Sequence, residues 1–511
     1  MPADNRIPIL IGITGHRYIR PEDKNALRAS VKAELERIRA LCPASPFVML
    51  SSLAEGGDLL CAEAAAELDI PLIAVLPREA SDYENDFSPE AKARFAFHCA
   101  RALDVFTAPY SEPVPESGAD RSFTFRQAGI YVSSHCHVLL ALWDGQPGEH
   151  GCGTAEAVDF ALEKGKTVIH VFTPRGDASG RAGEVRVLGN ESCMKDSLAK
   201  TDEFNRLASS EEIGERKVLP ADCPDDEPLS AMAAVYPAAS MLSKSSAGRY
   251  RKALALLALF STALAVAFLL YDEIDVNYMI FACGAMLAAT GICRNYASRT
   301  ACHRRYIEYR ALAECLRVQI NLRYSGSSLE VPALMTWSQR KETAWIYDAL
   351  CALTVGRAPE WKRDICECWV EDQRRYHLQA GLKDGHSARI SNRTVSTAFA
   401  VSLALYLAAL VLELAVPLSG LPEEKIGLFR FIIKISLGGI SALTLFSANF
   451  YGRLSLPRKL SDHEKMAEYY EKMLYRLEQN GQTDELLEGL AREELIENGN
   501  WCSYQRDNKP E

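Results

Sequence analysis

The sequence predicts an α/β domain built on a doubly wound parallel sheet, followed by an all-α region with four membrane-spanning helices and cytoplasmic helical extensions. Two observations predict this fold class. Six apolar stretches in residues 1–175 alternate with segments of helical spacing, which is typical of a parallel sheet covered by helices on both faces. Four long apolar runs follow between residues 253 and 450, and runs of this kind are typical of helices that cross a bilayer.

The predicted strands of the α/β domain lead into turns that carry glycine. The strands are residues 7–13, 47–53, 71–76, 102–107, 137–143 and 167–172. Three glycine-containing turns each precede a predicted helix, and the carboxyl ends of parallel strands are where doubly wound sheets bind ligands. Glycine lets a ligand approach the backbone, and a helix N-terminus favours a phosphate. The turns therefore predict a nucleotide-type ligand, with ordinary tight turns as the alternative.

The candidate ligand-binding residues lie in these three turns. They are Gly12, Thr14, Gly15, His16 and Arg17 in the first, Glu55, Gly56, Gly57 and Asp58 in the second, and Asp144, Gly151, Gly153, Thr154 and Glu156 in the third. We expect Gly15, Gly57 and Gly153 to line one pocket. Arg175 and Arg181 follow in a loop and either reach a phosphate or are solvated.

Three motifs in this order resemble the SLOG superfamily: GITGHR at 12–17, SSLAEGGDLLCAEAA at 51–65, and LLALWDG followed by GCGTAEAV at 139–158. The resemblance implies a Rossmann-like, nucleotide-sensing domain over about residues 6–175. Its hydrolase members, the Lonely Guy phosphoribohydrolases, carry Gly-Gly-x-Gly-Thr-x-x-Glu. Here the carboxylate, Glu156, comes one position early, which turns it by about 100° on a helix. We therefore expect binding without catalysis; in an enzyme, Glu156, Glu55 or Asp58 would supply the acid or base.

The apolar runs form two hairpins. The first hairpin joins Ala253–Tyr271 to Tyr278–Cys293 through an acidic bend, and the second joins Thr394–Ala415 to Leu428–Phe450. Lysine and arginine flank both ends of each hairpin. By the positive-inside rule both termini are cytoplasmic and the protein is a multi-pass protein of the inner (cytoplasmic) membrane.

Two ionisable residues lie within the second hairpin, Glu413 and Lys434. Charges inside a membrane are costly and usually face a partner or water. We expect the two to pair with each other, or Lys434 to face a pore, or both to reach the outer interface.

The region after the first hairpin resembles the SLATT family, which are proposed pore-forming partners of nucleotide-sensing domains. The resemblance covers about residues 245–385 and is carried by the entry RYRK, by AECLR at 313–317 and by WVEDQRRYH at 369–377. We therefore divide the chain into a nucleotide-binding domain (1–175), a linker or lid (176–245), a first hairpin with cytoplasmic helices (246–390) and a second hairpin with a C-terminal helix (391–511). The spacing His-x4-Glu-Tyr follows both hairpins, at 303–309 and 463–469.

Composition excludes several classes of protein. A net charge of −10 over 511 residues argues against a general nucleic-acid binder. The fifteen cysteines have no paired zinc or disulfide spacing, so we expect neither a metal nor another cofactor besides the nucleotide-derived ligand. The expected partners are the bilayer, that ligand and further copies of the chain.

These features favour a membrane effector in which a nucleotide-derived messenger triggers oligomerisation and pore formation, in the setting of anti-phage defence that the two resemblances imply. The first alternative is a membrane-anchored nucleotide N-glycosidase of the Lonely Guy type. The second is a passive anchor that recruits another protein through its helices.

Overall fold

The computed structural model describes residues 4–116, 118–148, 153–175, 181–210, 219–220, 222–274, 278–419, 423–452 and 456–507. The chain divides into two compact units. Unit 1 contains Met1–Met241, Ala311–Arg363 and Leu487–Leu495. Unit 2 contains Leu242–Arg310, Asp364–Leu486 and Ile496–Glu511.

The α/β part of unit 1 contains seven strands. Its elements are β1 (Ile9–Gly15), α1 (Lys24–Leu41), β2 (Phe47–Ser51), α2 (Gly57–Glu67), β3 (Leu72–Leu76), α3 (Ala80–Tyr83), α4 (Pro89–Arg101), β4 (Asp104–Thr107), α5 (Arg121–His135), β5 (Val138–Trp143), α6 (Thr154–Glu163), β6 (Thr167–Phe172), β7 (Val185–Leu188) and α7 (Glu191–Ser210).

The remaining helices follow in chain order. They are α8 (Glu227–Ile274), α9 (Met279–Arg299), α10 (Cys302–Tyr324), α11 (Val331–Leu334), α12 (Trp337–Glu342), α13 (Ala344–Leu353), α14 (Asp372–Ser419), α15 (Glu423–Gly452), α16 (Leu456–Asn480) and α17 (Asp484–Asp507), with a π-helix at Cys366–Glu371 before α14.

The sheet confirms the predicted doubly wound, mainly parallel arrangement. Its strand order is β4-β3-β2-β1-β5-β6-β7, and every pair is parallel except β6 with β7. The chain moves outward from β1 to β4 and then returns to place β5 on the other side of β1. This reversal opens a crevice between the carboxyl ends of β1 and β5, the position where such sheets bind ligands.

All six predicted strands are present, and the structure adds β7. This edge strand and the twenty-residue helix α7 lie in the segment 176–245 that the sequence indicated as a linker or lid. β7 is short and only partly buried, so its sequence lacks the apolar run that marks the six inner strands. A large part of the segment is therefore regular structure within unit 1.

Both faces of the sheet are covered. On one face, Leu27, Val31 and Leu35 of α1 pack with apolar residues of α2 and α4. On the other, Tyr131 of α5 and Val158 of α6 share a core with the sheet. Each face buries alternate residues of the strands, which explains why the strands read as continuous apolar runs.

A helix from outside the predicted α/β domain completes the second face. Ala352 at the end of α13, together with Val355, belongs to the same core cluster as β1 and β5. The Tyr131 hydroxyl accepts a hydrogen bond from the Gly356 N–H at 3.0 Å, and the Lys166 ammonium lies 2.6 Å from the Asp348 carboxylate. Residues 311–363, which the sequence assigned with the first hairpin, therefore group with the sheet.

Among the described residues, three helices are long and apolar enough to cross a membrane: Glu227–Tyr271, Cys366–Leu414 and Ile426–Ser447. All three lie in unit 2, except that the first begins in unit 1 and enters unit 2 at Leu242. The predicted second span, α9, is not among those found in the described residues. Its uncharged part ends at Cys293, ahead of Arg294 and Arg299, and so covers only about 22 Å at 1.5 Å per residue, short of a bilayer core of roughly 30 Å.

The helices that follow the two hairpins make matching contacts. The ring of His303 on α10 lies 4.5 Å from Tyr250 on α8. The ring of His463 on α16 lies 5.0 Å from His377 on α14, and their Nδ1 atoms are 3.0 Å apart. In both hairpins, the histidine of the His-x4-Glu-Tyr spacing contacts the helix that forms the first half of the hairpin.

The charge pairing in the second hairpin differs from the expected one. The Glu413 carboxylate accepts two hydrogen bonds from the Arg430 guanidinium, both at 2.6 Å. Arg430 lies four residues, about one helical turn, before Lys434 on the same helix, so the acid pairs with the cation nearer the loop. A planar guanidinium also binds both carboxylate oxygens at once, which an ammonium cannot do.

Candidate functional site

His16 and Asp144 contact each other at the point where the strand order reverses, between β1 and β5. His16 follows β1 and Asp144 follows β5, so each lies at the carboxyl end of its strand. The backbone N–H of Asp144 donates to His16 Nε2 at 3.0 Å, and the same nitrogen lies 3.1 Å from Asp144 Oδ1. Both side chains are nearly buried, with 12% and 10% of their surface exposed. The structure therefore brings two predicted site residues together at the predicted edge.

The ionisation of this pair follows from its surroundings. Burial lowers the pKa of His16, and the neighbouring Asp144 only partly opposes this. Burial opposes ionisation of Asp144, but the hydrogen bond from the Gln146 N–H and the nearby His16 and Arg175 side chains outweigh it and lower the pKa of Asp144. A neutral imidazole beside a carboxylate is the result, with Nε2 free to accept the Asp144 N–H.

Arg175 adds a cation beside this pair. Its guanidinium lies 3.9 Å from Asp144 Oδ2 and its side chain is 56% exposed. His170 Nε2 of β6 donates to the Trp143 carbonyl at 2.8 Å, which holds the end of β5 against β6. The exposed Arg175 is therefore the group at this edge that is best placed to meet an anionic ligand.

The glycines of the first two turns have a packing role. A Cβ on Gly15 would come within 2.8 Å of the Gly57 Cα, and a Cβ on Gly57 within 2.8 Å of the Gly15 Cα. The Gly57 N–H donates to the His16 carbonyl at 2.9 Å, so it is not free for a phosphate. Gly12 lies further back in β1, where a Cβ would meet Cys136 at 2.9 Å. Valine at Gly57 would therefore disrupt the fold, whatever its effect on a ligand.

Asp58 is a buried carboxyl at the start of α2. It accepts from Ser51 Oγ at 3.1 Å and from the backbone N–H groups of Ser52, Ala54 and Gly15. Burial raises its pKa to about 7, although these hydrogen bonds oppose the shift. The contacts tie the turn after β2 to the end of β1, so this predicted ligand residue also orders the edge of the sheet.

Glu55 and Arg17 face each other across the first two turns. Arg17 Nη2 lies 3.8 Å from Glu55 Oε2, and Glu55 also accepts from the Ser88 hydroxyl at 2.6 Å. Gly56, the residue directly before α2, has a φ of 99°, a conformation that favours glycine. Thr14 lies inside β1, half-buried and paired with Ala141.

The third turn is described from Gly153 onward, and Gly151 lies outside the described residues. Gly153 precedes α6 with a φ of 152°, and Thr154 is buried as the first helical residue. The Glu156 carboxylate lies against the loop after β5, where a Cβ on Gly148 would come within 2.5 Å of Glu156 Oε1. Glu156 Oε2 is buried and has no hydrogen-bond partner among the described residues.

Two arginines at the same edge were missed by the sequence analysis. Arg78 follows β3 and Arg121 begins α5, and both pair with Asp86. They lie outside the glycine turns on which the prediction rested. Their positions directly after a strand and at a helix start, at the carboxyl edge of the sheet, are the signal that could have found them. In the described part of the chain, no group of three metal-ligating side chains is arranged to hold an ion.

Comparison with known proteins gives a partial likeness to a solved structure. No family model matches the chain, and no curated protein matches it. The X-ray structure of DNA processing protein A (DprA) from Streptococcus pneumoniae is similar at 16% sequence identity with a TM-score of 0.24. The similarity covers 34% of this chain and 53% of that structure, so the chain spans about half the length of that protein.

Proposed function

We propose that the protein is a membrane effector with a SLOG-type sensor and a SLATT-like membrane module. In this proposal unit 1 binds a nucleotide-derived messenger, and the apolar helices of unit 2 then assemble with those of other copies into a pore, in anti-phage defence. The observation that carries the proposal is the cluster of His16, Asp144 and Arg175 at the sheet crevice, in a chain that also has three helices of membrane-spanning length.

The charges of the crevice favour a nucleotide. A neutral imidazole and an ionised carboxylate are partners for hydroxyl and amine groups, and an exposed guanidinium is a partner for phosphate. The start of α6 at Thr154 adds the N–H groups of a helix N-terminus at the same edge. Together these groups match a ligand with a ribose or base at one end and a phosphate at the other.

Conduction requires several copies in this proposal. The apolar helices carry few charges, which offers one subunit little polar surface to line a water-filled path. Ligand can open such an assembly only by binding the open or assembled state more tightly than the closed one. The topology with cytoplasmic termini belongs to the proposal and follows from the basic flanks of the hairpins. It includes α9 as a fourth span that is shorter than the other three.

A nucleotide panel tests the sensor. Isothermal titration of the full-length protein with cyclic and ADP-ribose-type nucleotides should find a ligand whose affinity falls about tenfold or more in Arg175→Ala, the usual effect of losing one charge-assisted hydrogen bond. Arg186→Ala is the matched control, because Arg186 is also exposed and lies on β7 in a contact with Glu184. Equal losses in both variants, or binding by neither variant nor wild type, would reject the proposed site.

A nucleotide N-glycosidase is the second candidate, favoured by the buried Glu156 oxygen that lacks a partner among the described residues. Chromatography after incubation with purine monophosphates separates the two functions. The enzyme proposal would be accepted over the effector proposal if the wild type releases free base and Glu156→Gln does not, while Glu156→Gln still binds the ligand.

A further inference from the structure

Three arginines converge on one aspartate at the carboxyl edge of the sheet. Asp86 ends the short 3-10 turn Glu84–Asp86 that follows α3. Arg78 Nη2 lies 3.0 Å from Asp86 Oδ2, and Arg121 Nη2 pairs with the same oxygen. Arg17 Nη2 donates to the backbone carbonyl of Asp86. The residues come from the ends of β1 and β3 and from the start of α5, so the sheet topology itself assembles them.

The cluster combines three arginines with three carboxylates, and its arginines are the more exposed groups around Asp86. Asp86 has only 10% of its side chain exposed, whereas Arg121 and Arg17 expose 54% and 37%. Two further carboxylates touch its margin: Asp82 lies 2.6 Å from Arg78, and Glu55 lies 3.8 Å from Arg17. Asp86 is thus the only one of the three carboxylates that contacts all three arginines through its own atoms.

Two buried hydrogen-bond donors in the cluster have no partner among the residues that the structure describes: the Tyr83 hydroxyl and Arg78 Nε. Tyr83 is 1% exposed. Burial raises the pKa of Tyr83 well above the ordinary value, and smaller effects on this pKa come from the charges of four groups: Asp58, Arg17, Asp86 and Arg121. Tyr83 lies beside the cluster, with its ring 5.5 Å from that of Phe125 on α5. A buried donor without an acceptor is unfavourable, so such groups at a charged edge point to an acceptor that binds there.

An aromatic ring supports the guanidinium groups. Phe125 of α5 lies 5.8 Å from the Arg78 guanidinium carbon and 5.4 Å from that of Arg121. Tyr83 packs edge-on against the same ring at 5.5 Å. Stacking of this kind fixes the plane of a guanidinium and leaves its edge N–H groups available. The two arginines are therefore oriented before any ligand arrives.

We propose that Arg17, Arg78 and Arg121 form a subsite for a phosphate group of the ligand, and that Asp86 fills this subsite until the phosphate displaces it. The inference rests on the proposed function, since it gives a position to a second phosphate of the messenger, apart from the one that faces Arg175. A guanidinium fork binds phosphate through two parallel hydrogen bonds. Tyr83 and Arg78 Nε supply two further donors, which the single carboxylate of Asp86 leaves unpaired. A tetrahedral phosphate has several acceptor oxygens and can use them.

Competition between Asp86 and phosphate gives the proposal a distinctive consequence. Neutralising a carboxylate that only borders the site would raise anion affinity slightly, because it removes a nearby negative charge. Neutralising an aspartate that occupies the arginines would raise it more, because the phosphate no longer has to displace that group. Asp86→Asn should therefore bind an anion more tightly than the wild type, and Arg78→Ala and Arg121→Ala should bind it more weakly.

The probe is inorganic pyrophosphate, titrated calorimetrically into the full-length protein in detergent at fixed ionic strength. We expect Arg78→Ala and Arg121→Ala each to weaken binding about tenfold to a hundredfold, the usual effect of losing a charge-assisted contact, and Asp86→Asn to tighten it severalfold. Arg94→Ala is the matched control, because Arg94 forms a 2.6 Å pair with Glu63 on other helices at comparable exposure. Thermal melting of each variant checks that unit 1 is folded.

Each outcome decides the question. Pyrophosphate binding with the expected order of affinities supports the subsite. No binding in the wild type at millimolar pyrophosphate, or equal affinity in Arg78→Ala, Arg121→Ala and Arg94→Ala, overturns it. Arginine-dependent pyrophosphate binding in a protein that binds no nucleotide of the panel would keep the anion subsite and reject the nucleotide-sensing function.

Discussion

The contact between Lys166 and Asp348 gives the sharpest prediction for stability, because it fixes α13 to the sheet. Lys166 is 4% exposed and precedes β6, and its ammonium lies 2.6 Å from the Asp348 carboxylate. Ser197 of α7 donates to the other carboxylate oxygen at 2.6 Å, and the ammonium lies 4.8 Å from the Tyr347 ring centre. Burial alone would lower the pKa of Lys166, but Asp348 reverses this and holds it above the ordinary value.

Lys166→Met should destabilise this contact strongly. At an effective dielectric constant of about 20, charges this close attract by about 6 kcal/mol, and removing one partner of a buried pair typically costs about 3–5 kcal/mol because the other charge stays buried. Lys166→Met combined with Asp348→Leu should recover most of the loss, since an apolar pair of similar volume is often neutral. The raised pKa implies that the stabilisation is present below about pH 10.4 and is lost only as the pH rises above that.

Hydrogen exchange of the full-length protein measures this effect at α13. A loss of about 3–5 kcal/mol should speed exchange of the Leu350–Leu353 amides by about a hundredfold to a few thousandfold in Lys166→Met. The double variant should return most of the way to the wild-type rate. If α13 exchanges at the wild-type rate in Lys166→Met, or if the double variant is as fast as the single one, the ion pair does not hold this helix.

Three further predictions concern charged groups elsewhere. Burial raises the pKa of Asp58 to about 7, from about 3.9 in the unfolded chain. Its contribution to stability should therefore fall as the pH rises from about 4 to about 7, and the melting temperature should decrease over this range in the wild type but not in Asp58→Asn. Glu413→Gln should lower the melting temperature in nanodiscs because it weakens the two charge-assisted hydrogen bonds from Arg430, and exchanging the two charges should restore it. Burial lowers the pKa of His463, so its contact with His377 should weaken as the pH drops below about 6.5. Hydrogen exchange in α16 should then become faster, and in His463→Gln this exchange should depend less on pH.

The sequence predicted the sheet because each inner strand carries its own signal. Buried parallel strands are apolar throughout, and each is followed by a helix with amphipathic spacing, so both the elements and their parallel order can be read locally. The crevice followed from the same reasoning, since the carboxyl ends of the strands define one edge. His16 and Asp144 meet at this edge because each directly follows a strand, β1 and β5 respectively, and these two strands are neighbours.

The parts that sequence reasoning missed depend on contacts between distant segments. Nothing in the apolar helix α13 indicates that Asp348 will meet Lys166, 182 positions earlier, so the helix was assigned to the nearest hairpin. The close packing of Gly15 against Gly57 was missed because a sequence pattern cannot show that two glycines from different turns meet. Arg78 and Arg121 were missed because lone arginines carry no motif, and only the fold brings them to Asp86.

Dye release from liposomes tests the central claim most directly. The full-length protein is reconstituted into vesicles loaded with a self-quenched dye, and the nucleotide that binds in the titration panel is added. The account predicts release when protein and nucleotide are both present, and little release with Arg175→Ala at the same nucleotide concentration. Tight binding of the nucleotide without dye release, and without any change in oligomer size, would contradict a ligand-gated pore.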